Sequence, residues 1–403
     1  MRPLSICVLV LVVGNSASLA QNSVSKYLGT SGATEREFNR YALEGRPPLP
    51  SDFILVGIEK ADRNKTGVFR MDQFNLNQLD RAAKKRLLKV YDGSKWMFVS
   101  HICYGTPNGT ADYYNVYANR NIQNRSPFED GVTALKSLAE TITGRIRDEG
   151  FTDIFVLCRG FLNPQERALR VSQEFANGVK AKLGPDRRPL FVVLTWPSKW
   201  TGEMGSKLIR GAVSASSFMN KKNDADEVGG ILGNLLINHV LPRAVGDRPD
   251  VKIVVTGHSL GGRLVARAVH GRSFLADAPA RQVDLVVCMQ PAFSLNRFIN
   301  GSGLEGAPFN FQVKPNLVLT CSNQDRTMNK MRLANYGGNL KVCREYGSRY
   351  PGLFSFSQGS SGLSAQFGTS RVNLVDLSGL VQSHGDVNDQ EMAAFVIACL
   401  EAS

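Results

Sequence analysis

From about Pro127 onward the chain alternates two patterns. Short runs rich in Val, Ile and Leu fall at residues 154–158, 190–195, 251–256, 283–289, 317–321 and 372–377. Between them, apolar residues recur at helical spacing over residues 128–148, 165–183, 226–240, 260–270 and 389–401. Strands alternating with helices predict crossover units, and hence a mostly parallel sheet with helices on both faces. Upstream, residues 53–59, 96–104 and 113–118 read as strands joined by turns that bear Gly and Asn, with no helical pattern between the last two. Strands so connected pair antiparallel. The expected fold class is therefore α/β, with antiparallel N-terminal strands that extend the same sheet or form a small separate unit.

One stretch breaks the rhythm. Residues 347–370 (GSRYPGLFSFSQGSSGLSAQFGTS) are dense in Gly and Ser with aromatics between. They are expected to form a long loop, either a flap beside a site or a surface excursion.

The N-terminus changes the picture of where the chain acts. Arg2 precedes an apolar run at residues 6–13 and then the small residues Ser16, Ala17, Ser18 and Ala20, the pattern of a secretory signal peptide. Residues 1–20 are expected to be removed and the protein to be secreted or periplasmic; a retained N-terminal anchor is the alternative. What is left, 403 − 20 = 383 residues in a chain that is 43% hydrophobic, is enough for one large core or two modest ones. We expect a single domain over 21–403, with 21–125 as a strand-rich N-terminal extension and 126–403 as the catalytic core. No later segment approaches the roughly 20 uncharged apolar residues of a membrane span, so none is expected in the mature chain.

Charge and cysteines narrow the partners. Seven cysteines less Cys7 leave Cys103, Cys158, Cys288, Cys321, Cys343 and Cys399. None forms a C-x-x-C pair, which argues against a zinc ribbon or a thioredoxin-like motif; pairing among the six stays open. The formal charge of +13, or +12 without Arg2, favours contact with anionic surfaces. Nucleic acid is not expected: the densest basic stretch, residues 81–89 (RAAKKRLLK), has no interleaved aromatics and reads as a solvated helix face.

The strongest chemical signal is VTGHSLGG at residues 255–262, which contains G-x-S-x-G as Gly257, Ser259 and Gly261. A β-branched strand runs into it and an amphipathic helix runs out. That context suits a nucleophilic serine held on a tight strand-to-helix turn, with residues two either side small enough to let strand and helix approach. The turn sets the Leu260 N–H at a helix N-terminus, where it can hold a developing oxyanion.

A serine needs a base. Of five histidines, His258 belongs to the turn and is expected to point away from Ser259; His101 lies in an upstream strand; His239 and His270 lie on helices. His384 remains, in a loop between the last strand and the last helix. The acid should follow a strand between Ser259 and His384, at the edge where loops of parallel sheets gather. Asp325 is the first choice and Asp376 the second, whereas Asp284 begins its strand and lies at the wrong edge.

A further pair of segments carries a resemblance. Cys158-Arg159-Gly160-Phe161 ends one strand and Trp196-Pro197-Ser198 closes the next. Over Phe151 to Ser403 the chain resembles the α/β-hydrolase superfamily, particularly lipase-like members with a His-Gly-Phe or His-Gly-Tyr loop and a Trp-Pro-Ser strand end. The resemblance implies that the Phe161 N–H is the second oxyanion donor. This chain departs from it at Arg159, where the family usually has histidine.

Other motifs fail. Gly301, Gly303 and Gly306 match G-x-G-x-x-G, yet no strand precedes them and no helix follows. Asp62, Asn64, Thr66 and Gly67 resemble the start of a calcium loop, but Gln73 stands where a bidentate carboxylate is required; a hairpin turn fits better. No cofactor and no metal are therefore expected. The reading is a serine hydrolase acting on a small-molecule or lipid ester through Ser259, Asp325 and His384, with a non-catalytic binding module, or a thioesterase or peptidase of the same fold, as alternatives.

Overall fold

The computed structural model describes residues 48–60, 62–63, 69–70, 97–116, 127–161, 163, 165–198, 218, 221–271, 275, 281–299, 309, 316–330, 335–359 and 372–403. Residues 1–20, expected to be a signal peptide, the basic stretch at 81–89 and the glycines at 301–306 lie outside them, as does most of the region 199–226.

The strands are β1 (Phe53–Lys60), β2 (Asp62–Arg63), β3 (Phe69–Arg70), β4 (Met97–Thr106), β5 (Gly109–Asn115), β6 (Asp153–Cys158), β7 (Pro189–Thr195), β8 (Lys252–His258), β9 (Leu285–Met289), β10 (Asn316–Cys321), β11 (Phe354–Gln358) and β12 (Val372–Asp376). The helices are α1 (Pro127–Glu149), α2 (Gln165–Lys182), α3 (Leu241–Val245), α4 (Leu260–His270), α5 (Arg326–Lys330), α6 (Leu340–Arg349) and α7 (Gln390–Glu401). A helical segment leads into α3 through two π-type turns, Gly229–Gly233 and Leu236–Val240.

Ten strands form one sheet in the order β11-β12-β10-β9-β8-β6-β7-β1-β4-β5. It is parallel from β11 to β1 and antiparallel from β1 through β4 to β5. The N-terminal strands thus extend the main sheet. The three pair antiparallel among themselves, as expected, and β1 also runs parallel to β7 and so joins the two halves. β2 and β3 pair as a short separate hairpin, in keeping with the turn reading of the sequence around Asp62.

Every residue of β6 and β7 is buried, because both faces of the sheet are covered. Period-2 alternation sorts the strand side chains into two cores. Ile54, Val56, Ile154 and Val156 meet α1, the π-turn segment, α4 and α6 on one face. Phe53, Leu55, Phe155 and Leu157 meet α2 and α7 on the other. The six cysteines beyond Cys7 are all buried free thiols, and burial pushes those of Cys158 and Cys399 up to about 12.

The long-loop expectation for 347–370 is corrected. α6 runs to Arg349, a turn follows, and β11 takes the sheet edge beside β12. Residues 360–371 lie outside the described residues. Asn339 caps α6, its side chain accepting from the Lys341 and Val342 N–H groups. The Phe354-Ser-Phe-Ser alternation makes an edge strand whose phenylalanines turn toward the core, so a high Gly and Ser content coexists with regular structure.

Candidate active site

The turn between β8 and α4 gathers the site. Ser259 has φ 56° and ψ −119°, a region that non-glycine residues rarely occupy. Two close approaches flank it. A Cβ on Gly257 would sit 2.5 Å from the Gly261 carbonyl oxygen, and one on Gly261 would sit 2.3 Å from the Cys158 carbonyl oxygen. Both glycines of the motif are therefore required by space. The turn is held from the next strand, the Ser259 N–H donating to the Met289 carbonyl at 3.0 Å.

Ser259 occupies the N-cap position of α4, where a serine hydroxyl ordinarily accepts from the first turn. Here it makes no such bond. The hydroxyl is left for other work while the residue as a whole is only 3% exposed.

His384 and Asp325 are brought together. His384 Nδ1–H donates to Asp325 Oδ2 at 2.7 Å; a carboxylate only accepts, so this bond assigns the tautomer. Asp325 is fully buried and its other oxygen accepts from the Thr327 and Met328 N–H groups, both at 3.0 Å, at the start of α5. The acid loop is stitched to the turn after β12: Leu377 N–H donates to the Cys321 carbonyl, the Ser322 hydroxyl to the Val381 carbonyl, and Asn323 N–H to the Ser378 hydroxyl. Asp376, the second choice, is taken up elsewhere. It accepts from Ser378 and from Arg344, neither of which touches His384.

His258 makes a contact that the sequence did not reveal. Its ring packs on the His384 ring with centroids 4.7 Å apart. Burial, then the proximity of His384 and Arg159, holds the His258 pKa well below the usual histidine value, so it stays a neutral platform. This contact also brings His384 to the Ser259 turn. No hydrogen bond joins Ser259 and His384 in this structure, and in unliganded sites such bonds are often long. The other histidines lie apart: His101 is buried in β4 with Gln165 and Ser100, His239 is in the second π turn, and His270 is buried at the end of α4.

The loop after β6 packs directly on the turn. A Cβ on Gly160 would meet the Ser259 Cβ and the His258 carbonyl oxygen, each at 2.7 Å. The same Cβ would lie 3.2 Å from the Leu260 nitrogen, so the Arg159–Phe161 backbone borders the N-terminus of α4. The Trp196 indole N–H donates to the Arg159 carbonyl at 2.9 Å. Ser198 exchanges two bonds with the Asn163 backbone. These contacts explain why the two sequence segments occur together: the end of β7 shapes the loop after β6. Phe161 itself packs edge-on against Phe218, centroids 5.5 Å apart.

Two features escaped the sequence reading. Gln290 has φ 41°, is fully buried, and follows the carbonyl that holds the Ser259 N–H. Arg159 reaches across to Asn388. No sequence pattern marks Gln290, and the departure at Arg159 gives no sign of its partner Asn388. Among the described residues no group of His, Cys, Asp and Glu could hold a metal, and no helix is long and apolar enough to cross a membrane.

A family described as an alpha/beta hydrolase of unknown function (DUF900) matches residues 135–341, just over half of the 403-residue chain. No curated protein matches. Solved structures do match, among them a Trichoderma reesei cutinase in complex with a C11Y4 phosphonate inhibitor. That likeness is 15% identity over 47% of this chain and 78% of the other, with a TM-score of 0.21.

Proposed function

As the chain belongs to this α/β-hydrolase family, we propose that it is an exported serine hydrolase that cleaves carboxylic esters. The observation that carries the reading is the His384–Asp325 bond of 2.7 Å beside a serine held at positive φ with its hydroxyl uncommitted.

In this mechanism the Ser259 oxygen attacks the ester carbonyl carbon while His384 Nε2 takes its proton. Asp325 holds the ring through Nδ1–H and stabilises the imidazolium. The carbonyl oxygen, now an anion, accepts from the Leu260 and Phe161 N–H groups. As the carbon–oxygen bond to the alcohol breaks, His384 returns the proton to the leaving oxygen. Water then attacks the acyl-enzyme by the same route, releasing the acid and restoring Ser259. No metal or cofactor takes part.

The substrate is a small-molecule or lipid ester, and the signal-like N-terminus directs the enzyme to the periplasm or the exterior. A panel of p-nitrophenyl esters from acetate to palmitate tests the reaction. Wild type should hydrolyse at least one, and Ser259→Ala should lose about 10⁴-fold or more in kcat. Equal turnover by the two proteins would refute the assignment.

A further inference from the structure

Arg159 is 4% exposed, yet it has no carboxylate against it. Its guanidinium donates to two neutral oxygens, Asn388 Oδ1 at 2.5 Å and the Val171 carbonyl at 3.2 Å, and it lies over the Phe175 ring at 5.6 Å. Glu174, whose charge it feels, is a half-exposed residue paired with Arg170. A buried cation held only by neutral acceptors is costly, and packing alone would be served better by an apolar side chain.

Its position gives the cost a purpose. The Arg159 backbone lies against Gly261 of the serine turn, and Trp196 holds its carbonyl. Two residues on is Phe161. At the far end, Asn388 closes the loop that carries His384, its side-chain amide donating to the Gly385 carbonyl at 3.4 Å. Asp389 then caps α7. One side chain thus spans two loops whose contact residues are 229 positions apart in sequence.

We propose that Arg159 is a positioning residue: through Asn388 its guanidinium fixes the loop bearing the Phe161 N–H relative to the loop bearing His384. The catalytic part of this inference rests on the hydrolase reading above; the clamp itself does not.

Hydrogen exchange on the full chain reads the clamp without reference to activity. Asn388→Ala should speed exchange at Gly160 and Phe161, and Arg159→Met should speed it at Ser383 to Asp386. Changes confined to the loop that carries the substitution, or no change at all, overturn the clamp. Turnover of p-nitrophenyl butyrate reads its consequence. Each single variant should lose about 10- to 100-fold in kcat, the effect of a misplacement near 1 Å, with KM within about twofold. Asn388→Asp keeps the acceptor and should remain within about threefold of wild type. The double variant should be no slower than Arg159→Met. Wild-type kcat in the single variants, or additive losses in the double, would overturn the positioning role. Should Arg159→Met fail to fold, the two Asn388 variants carry the same comparison. A wild type inactive on every ester would sink the hydrolase reading and leave the exchange result to decide the clamp.

Discussion

Ser259 combines strain and chemistry in one residue. A side chain at φ 56° and ψ −119° costs about 1 kcal/mol or more, a cost the surrounding packing must offset. Ser259→Gly should therefore unfold at higher denaturant than Ser259→Ala, by about 1 kcal/mol, although both are inactive. Equal midpoints in urea would show that the turn is not strained. The acid is tested the same way. Asp325→Asn should lower kcat by about 10⁴-fold by disturbing the tautomer of His384, while Asp376→Asn should alter kcat little and instead weaken the turn that Ser378 and Arg344 anchor. Measuring kcat and urea stability for both variants separates the roles; the reverse pattern would reassign the acid. The tight turn at Ser259 and the meeting of Asp325 with His384 were legible in the sequence because strand-end position and chain order leave few choices. Arg159 and His258 were not. What each side chain touches depends on how separate loops meet, and local pattern carries no record of that.

At the scale of elements, close approach explains the motif better than flexibility does. Alanine at Gly261 would drive a methyl to 2.3 Å from the Cys158 carbonyl oxygen, a backbone atom that cannot swing aside. Gly261→Ala should cost about 3 kcal/mol in urea denaturation, at the upper end for overpacking; a loss under about 0.5 kcal/mol, typical of surface changes, would contradict this geometry. The central strands β6, β7 and β8 were legible because burial on both faces leaves an apolar run. β11 and α6 were not. Phe354 to Gln358 alternates over a single short edge strand, and its Gly- and Ser-rich surroundings resemble a loop more than a sheet margin. The π-type turns at Gly229–Gly233 and Leu236–Val240 also lie beyond pattern reading, since a one-residue widening leaves the apolar spacing almost unchanged.

Across the whole molecule, the sheet brings four strand ends to one edge: Cys158, Thr195, His258 and Cys321 precede the loops that build the site. The same dense core has a consequence for pH. Burial lowers His270 from 6.5 to about 4. The unfolded chain takes that proton near pH 6.5 and the folded chain only near 4, so in this window the unfolded state binds more protons and stability falls as pH drops. The whole span corresponds to about 3 kcal/mol, and His258, also depressed, acts in the same direction. Urea denaturation at stepped pH should show the decline in wild type and a shallower one in His270→Leu; parallel slopes would contradict it.

The central claim is that Ser259 is an activated nucleophile. Treating the purified protein with a fluorophosphonate and locating the adduct by peptide mass spectrometry tests it most directly. Modification confined to Ser259, absent in Ser259→Ala and slowed in His384→Ala, is the predicted result. A folded protein that stays unmodified, or carries the label on another residue, would contradict the account.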